Sequence, residues 1–158
     1  LAWSRGLGDV YKRQKTCLPF LKKSNNPHVL NLSPPLNLDP KWFGGHVAYT
    51  MAKYGMSMCV LGHAVEFKDD KIAVNALWPQ TTIDTAAVRN LLGGEALANQ
   101  SRTPQIIADA AYYILQRDSK TCTGNFFIDQ AVLSSEGIQN FDAYAVDLEK
   151  DLMPDFFI

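Results

Sequence analysis

The stretch "HVAYTMAKYGMSM", residues 46–58, contains a single charged residue, Lys53, with Tyr49 four positions before it. No other Asp, Glu, Lys or Arg occurs within residues 47–65. Residues four apart are neighbours on one face of a helix. The stretch therefore predicts a helix over about residues 46–67 that presents a tyrosine and a lysine side by side.

This predicted helix is apolar nearly all round, which indicates burial on all sides, in a large core or against a partner subunit. One face carries the tyrosine and the lysine. The opposite side, called here the back strip, consists of Met51, Met58, Leu61 and Val65.

Apolar runs flank the helix on both sides. "HVLNLS" at 28–33 and "IAVNALW" at 72–78 each predict a buried strand. Strand, helix and strand form a βαβ unit with a right-handed crossover. A further strand is expected within "TGNFFID" at 123–129, so the sequence predicts a three-layer α/β fold with a parallel sheet.

Further helices complete the predicted layers. "TCLPFLKKSNNP" is typical of a helix end with Lys22 and Lys23 in its last turn. Either Thr82 or Asp84 is the expected cap of a helix through "TAAVRNLLGGEALA", and "SRTPQIIADAAYYILQR" is amphipathic.

The predicted topology gives Tyr49 and Lys53 a place in the fold. Ligands of open α/β sheets bind beyond the carboxyl ends of the strands. Ser33 ends the first strand and Pro79 follows the second. Because the helix between them runs antiparallel to both strands, its first turns begin near that edge.

A tyrosine beside a lysine suits proton transfer. Phenol has a pKa of about 10, and a nearby ammonium lowers that pKa by stabilising phenolate. Such a phenol can protonate a carbonyl or deprotonate an alcohol, while a serine hydroxyl holds the same oxygen. This chemistry suits hydride transfer with a nicotinamide. The alternative is structural: a lysine whose stem lies along apolar surface beside a half-buried tyrosine.

Composition excludes several classes of function. The net charge of −1 gives no electrostatic footprint for nucleic acid, and no apolar run is long enough to span a bilayer. Cys17, Cys59 and Cys122 are far apart and form no metal-ligand pattern. They indicate a reducing, intracellular setting, and no targeting signal is visible.

Four ordered segments, "HVLNLS", "YTMAK", "IAVNALWP" and "TGNFFID", resemble the second half of a short-chain dehydrogenase/reductase. The resemblance implies a Rossmann-like parallel sheet of which this chain is the C-terminal half, the N-terminal βαβ unit with its glycine-rich loop being missing. It covers residues 15–158 as a partial dehydrogenase domain. Residues 1–14 do not share it and are interpreted as a non-native or misassembled leader.

The resemblance also implies roles for individual residues. Tyr49 would be the catalytic acid/base, and Lys53 would lower its pKa and bind the nicotinamide ribose. The cofactor would be NADP or NAD, with NADP favoured. The residues expected to border its nicotinamide and pyrophosphate are Pro79, Ile83 and Thr85.

The chain departs from the family pattern at three positions. The family's second, catalytic serine is replaced by Pro34, which leaves Ser33 as the nearest hydroxyl. The usual glycine after the strand-end proline is Gln80, and Gly6 stands where the family has a helix-borne asparagine.

The functional hypothesis is an NAD(P)-dependent oxidoreductase of a small-molecule alcohol or ketone, with a lipid-like substrate. The resemblance further implies a homo-oligomer through the 46–67 helix, with Leu61 near the axis, and a peroxisomal or mitochondrial location. The alternative is a catalytically incompetent fragment or pseudoenzyme that serves only subunit association.

Overall fold

The computed structural model describes residues 6–158, with side chains from Lys12 onward. The chain divides into two compact units. The first comprises the chain up to Leu77 together with Arg117–Phe127, and the second comprises Trp78–Gln116 and Ile128–Ile158. The helices and strands, in order, are α1 (Gly6–Leu21), β1 (His28–Leu32), α2 (Val47–Glu66), β2 (Ala73–Trp78), α3 (Gly94–Asn99), α4 (Gln105–Gln116), β3 (Phe126–Ile128) and α5 (Asp129–Ser135).

The sheet has the strand order β1-β2-β3. β1 and β2 are parallel, in a register that pairs His28 with Ala73 and Leu32 with Leu77. All six residues of β2 are buried, as expected of a central strand that reads as one continuous apolar run. The predicted strand–helix–strand order and the parallel sheet are confirmed.

Asn75, in the middle of β2, forms side-chain hydrogen bonds with the backbone of the turn that precedes β3. Its Nδ2 donates to Cys122 O at 2.7 Å, and its Oδ1 accepts from Asn125 N at 2.9 Å. The backbone adds a bond from Gly124 N to Val74 O at 2.8 Å. These contacts fix the turn that leads into β3.

α2 agrees with the predicted helix to within one residue at each end. Its inner side packs into the core of the first unit through Val60 and Ala64. The other buried members of that core are Phe67, Ile72, Val74 and Ala76.

The back strip of α2 is exposed, although the sequence predicts burial on all sides. Met51 and Val65 are 65% and 76% exposed, and Met58 and Leu61 are 57% and 45% exposed. Within residues 6–158 the first unit supplies packing partners on only one side of the helix, and burial of the back strip against a partner subunit stays a prediction.

The end of α1 differs from the prediction. The helix ends at Leu21, so Lys22 and Lys23 lie beyond it rather than in its last turn. The amide of Lys23 bonds three residues back, to Phe20 O at 3.1 Å, in the tighter turn that commonly ends a helix. α1 also runs without a break across Lys15, and the domain boundary placed there stays a prediction.

The helix expected after Pro79 is split into a π-helical turn, Val88–Leu92, and α3. Neither predicted cap acts as one. Asp84 instead pairs with Arg89 at 2.6 Å, and Thr85 Oγ1 accepts from Val88 N at 3.3 Å. The prediction of Thr82 or Asp84 as cap is wrong because the helical turn begins later than the sequence indicates.

In the second unit, α4 packs against α5. Arg102 lies between two short backbone pairings, parallel with Ile83 and antiparallel with Ala145. No helix within residues 6–158 combines the length and apolarity that crossing a bilayer requires.

Candidate functional site

Ser33 follows the last residue of β1. Its side chain is fully buried, and none of the described residues forms a hydrogen bond with its Oγ. Burying a hydroxyl without a partner is unfavourable. The Ser33 hydroxyl is therefore a buried polar group at a strand end without a hydrogen-bond partner among the described residues.

Lys53 connects α2 to the same strand end. Its Nζ donates to Leu32 O at 3.3 Å, and Leu32 is both the last residue of β1 and the neighbour of Ser33. The second turn of α2 therefore lies beside the carboxyl end of β1, where the topology predicted it.

Tyr49 stands one helical turn before Lys53 on the same face of α2. Its side chain is 47% exposed, so much of the phenol is accessible to a small molecule. Ser33, Tyr49 and Lys53 thus all belong to the first unit, with Lys53 bound to the residue that precedes Ser33.

A strip of three hydroxyls, called here the hydroxyl row, ties α2 to the loop between β1 and α2. Each hydroxyl donates to a backbone carbonyl of that loop. Thr50 Oγ1 bonds Trp42 O, Tyr54 OH bonds Asn37 O at 2.5 Å, and Ser57 Oγ bonds Pro34 O at 2.6 Å.

Tyr54 is the central member of the hydroxyl row. Its side chain is 3% exposed, and Phe43 packs edge-on against its ring with centroids 5.7 Å apart. Burial raises the pKa of Tyr54, opposed by its hydrogen bond to Asn37 and supported by the charge of Asp39. The phenol therefore stays neutral and acts as a fixed donor.

Sequence reasoning missed the hydroxyl row. Its signal was present as hydroxyl residues spaced four and then three apart in an otherwise apolar helix. The carbonyls that accept these bonds belong to an irregular loop whose path no periodicity predicts.

Pro79, Ile83 and Thr85 lie in the second unit. Pro79 directly follows β2 and is half-buried, as is Ile83, whose backbone pairs with Arg102. Thr85 is exposed, and its Oγ1 accepts from Val88 N. All three occupy the chain segment that leaves β2.

Asp129 was also missed by sequence reasoning. It is fully buried, and its Oδ1 accepts from Gln80 N at 2.9 Å and from Gln130 N at 2.6 Å. Burial raises the pKa of Asp129, opposed by these two bonds and by the charge of Arg102. A polar residue ending an apolar strand was the available signal.

Arg102 is the cation that faces Asp129. It is 6% exposed, its Nη1 donates to Gln130 Oε1 at 2.7 Å, and burial lowers its pKa. Asp129 and Arg102 are both buried and interact electrostatically near the start of α5, next to the segment that contains Gln80.

The chain is similar to several known dehydrogenases. No family model matches it. It is 60% identical over 149 residues to hydroxysteroid dehydrogenase-like protein 2 of Mus musculus, which covers 94% of this chain and 30% of that protein. A short chain dehydrogenase structure from Mycobacterium thermoresistibile shares 42% identity, with a TM-score of 0.86 over 97% of this chain and 54% of that one.

A candidate dehydrogenase structure from Xanthomonas campestris matches at 43% identity, with a TM-score of 0.91 over 97% of this chain and 56% of that one. The resemblance to short-chain dehydrogenases is confirmed. The Rossmann-like fold is confirmed with it. The chain spans about a third of the length of the curated relatives it matches and about half of these two solved structures.

More distant structures share the fold alone. One is an angucycline C-6 ketoreductase with bound NADP, at 20% identity and a TM-score of 0.59. Another is a 4-hydroxyisoleucine dehydrogenase mutant in complex with NADH and succinate, at 16% identity and a TM-score of 0.56.

Proposed function

We propose that this chain carries the proton-transfer groups of an NAD(P)-dependent oxidoreductase that interconverts an alcohol and a ketone. The observation that carries the proposal is the hydrogen bond from Lys53 Nζ to Leu32 O, because it holds a lysine at a strand end one turn from Tyr49. Similarity to short-chain dehydrogenases supports the same class of reaction.

Tyr49 would exchange a proton with the substrate oxygen. Its half-exposed phenol is accessible to a ligand, and the ammonium of Lys53 on the same helix face favours the phenolate form. In ketone reduction, the phenol donates its proton to the carbonyl oxygen as the hydride arrives at the carbonyl carbon. In alcohol oxidation, the phenolate removes the hydroxyl proton.

Ser33 would hold the substrate oxygen. Its buried Oγ has no hydrogen-bond partner among residues 6–158. Because Ser33 is fully buried, a ligand oxygen would reach this hydroxyl only after neighbouring residues move, and the new bond would then relieve an unfavourable burial. In this proposal Ser33 takes over the role that the family gives to the serine replaced by Pro34.

The cofactor is proposed to be NADP or NAD, which supplies the hydride when bound. Pro79 and Ile83 would border the nicotinamide. Thr85 would border the pyrophosphate, and this fits its exposed hydroxyl, which accepts one local hydrogen bond and keeps its own proton to donate to an anionic oxygen. Lys53 would also bind the nicotinamide ribose.

The substrate is proposed to be lipid-like. The loop between β1 and α2 carries half-buried Leu36 and Trp42 and a 75% exposed Leu38. Apolar side chains of this kind favour an apolar ligand over a charged one. The loop is held by the hydroxyl row, so its apolar residues are presented on a fixed backbone.

The test uses the full-length protein that contains this chain, with NADPH and NADH and a series of aliphatic ketones of increasing chain length. Tyr49→Phe is expected to abolish turnover and leave the dissociation constant for the cofactor nearly unchanged, because the phenol acts on the reacting oxygen. Lys53→Ala is expected to impair both. Tyr112→Phe, at a 60% exposed tyrosine, is the matched control. Near-normal turnover by Tyr49→Phe would contradict the proposal.

The oligomeric state is part of the proposal. The exposed back strip of α2 carries no charge and consists of methionine, leucine and valine, of which the methionines and the leucine pack adaptably against an identical surface. A second copy of the protein is the proposed partner. A location in peroxisomes or mitochondria is proposed from the family resemblance alone, and fluorescence imaging of the tagged full-length protein tests it.

A second candidate function is association without catalysis. The exposed back strip favours it, since that surface serves assembly whether or not Tyr49 is active. The two functions separate in the same experiments. A wild-type protein that assembles but neither binds NADPH or NADH nor turns over ketones would establish the second function.

A further inference from the structure

The segment Met153–Phe157 runs along the end of β2 and the residues that follow it, within the second unit. Thr82 N donates to Met153 O at 2.9 Å, and Asp155 N donates to Gln80 O at 3.2 Å. Thr81 and Pro154 form an antiparallel bridge between these bonds. The two segments thus pair as a short piece of sheet.

Side chains reinforce the pairing at one end. Trp78 Nε1 donates to Phe156 O at 2.8 Å. The Trp78 and Phe157 rings meet edge to face with centroids 5.9 Å apart, and the two side chains are 5% and 3% exposed. The hydrogen bond of the Trp78 indole and the buried contact between the Trp78 and Phe157 rings both stabilise the pairing.

Phe157 adopts an unusual backbone conformation, with φ of +77°. A residue with a side chain loses about 1 kcal/mol or more in this left-handed region. Burial of the Phe157 ring against Trp78 offsets that loss. The segment is therefore held in one specific conformation by its aromatic anchor rather than by the intrinsic preference of its backbone.

We propose that Met153–Phe157 is a positioning element that holds Pro79–Thr82 in the shape that binds the nicotinamide nucleotide. This inference rests on the proposed function, in which Pro79 borders the nicotinamide. Pro79–Thr82 is held by Met153–Phe157 on one side and by the hydrogen bond from Gln80 N to Asp129 Oδ1 on the other. It therefore has little conformational entropy left to lose when the nucleotide binds. Loss of the anchor should weaken cofactor binding without changing proton transfer.

The test variant is Phe157→Ala in the full-length protein, with NADPH and NADH as the probes. The dissociation constant for the cofactor is expected to rise about tenfold, since misplaced binding groups lose affinity, with kcat at saturating cofactor little changed. Phe157→Leu, which keeps apolar volume, should restore most of the affinity. Ile158→Ala, at the adjacent 38% exposed residue, is the matched control and should bind as the wild type does.

A second comparison separates positioning from general destabilisation. Ile114→Ala removes a fully buried side chain of α4 in the same unit and should lower the unfolding temperature without changing the cofactor dissociation constant. Hydrogen exchange should show faster exchange at the amides of Thr82 and Asp155 in Phe157→Ala but not in Ile114→Ala. Should Phe157→Ala fail to fold, Trp78→Phe replaces it with the same measurements, because it removes the hydrogen bond to Phe156 O and keeps an aromatic ring.

The possible results are distinct. Equal cofactor affinity in Phe157→Ala and wild type, or equal weakening in Ile114→Ala, would overturn the positioning role while the proposed function stands. Absence of NADPH and NADH binding by the wild type would overturn the proposed function and this inference together. Selective weakening in Phe157→Ala with kcat retained supports both.

Discussion

The Tyr54 hydroxyl makes two hydrogen bonds with one residue, donating to Asn37 O at 2.5 Å and accepting from Asn37 N at 3.3 Å. Both backbone groups of Asn37 are thereby satisfied by a side chain from α2. An irregular loop has no strand or helix partner for such groups. In the loop that leads from Ser33 toward Tyr49, Tyr54 therefore supplies the backbone hydrogen bonds that a neighbouring strand or helix would otherwise supply.

Tyr54→Phe should lower the free energy of unfolding by about 1–2 kcal/mol, because it removes both bonds to Asn37 and keeps the packed ring. Denaturant unfolding followed by circular dichroism measures the change. Tyr112→Phe, at an exposed tyrosine, should leave stability unchanged. Equal stability of Tyr54→Phe and wild type would show that water satisfies the loop equally well.

Tyr144 should make stability depend on alkaline pH. Burial raises the pKa of Tyr144 to about 12, supported by its 2.8 Å hydrogen bond to Asp109 Oδ2. The folded pKa thus lies above the unfolded value of about 10. Its contribution to stability is fully present below pH about 10 and is lost as the pH rises through about 12.

The measurement is the difference in unfolding free energy between wild type and Tyr144→Phe across this range. The difference should be constant up to pH about 10 and shrink above it, because phenylalanine does not titrate. Using the difference cancels the titration of lysines common to both proteins. A difference that stays constant to pH about 12 would contradict the assignment.

At neutral pH, we expect an asparagine amide at position 129 to stabilise the folded protein at least as much as the Asp129 carboxylate does. Burial raises its folded pKa, so its contribution is fully present below the unfolded pKa of about 3.9 and is lost as the pH rises through the folded value. Asp129→Asn keeps an oxygen for Gln80 N and Gln130 N without a buried charge. It should match wild type at acidic pH and be at least as stable at pH about 7.

The contrasting variant is Asp129→Ala. It leaves the amides of Gln80 and Gln130 without their acceptor and should cost about 1–3 kcal/mol. Thermal unfolding of the three proteins at both pH values gives the comparison. A strongly destabilised Asp129→Asn at neutral pH would mean that the attraction between Asp129 and Arg102 outweighs the burial of the charge.

Leu61→Arg tests the proposed assembly. A charge placed in the back strip should prevent two copies from meeting there and yield monomers in sedimentation velocity experiments on the full-length protein. Leu148→Arg, at a 70% exposed leucine in the second unit, is the control and should keep the assembly state of the wild type. An unchanged oligomer in Leu61→Arg would remove the back strip as the interface.

The sequence predicts the parallel strands and α2 well because each has a simple periodic cause. β2 is a continuous apolar run, and α2 combines apolar faces with the Tyr49–Lys53 spacing, so both were located to within one residue. The position of Lys53 near the carboxyl end of β1 was expected from where ligands bind in such sheets, whereas its hydrogen bond to Leu32 O was not.

The elements that sequence reasoning missed depend on contacts between distant parts of the chain. Ser57 finds its acceptor 23 residues away at Pro34, and Trp78 finds its own 78 residues away at Phe156. Neither partner is a side chain, so no residue type marks it in the sequence. The back strip shows a different limit, since apolar composition predicts burial without showing whether the chain itself or a partner subunit provides it.

The contacts of β2 with the turn before β3 depend on the side-chain nitrogen of Asn75, which aspartate would replace with an oxygen. Its nitrogen must face Cys122 O and its oxygen must face Asn125 N, so the orientation of the amide is determined by its surroundings. Aspartate has the same shape but would set an oxygen against the carbonyl of Cys122. Deamidation of Asn75 to aspartate would therefore replace the hydrogen bond to Cys122 O with repulsion between two oxygens. It would destabilise the turn before β3 without removing any apolar contact of the sheet.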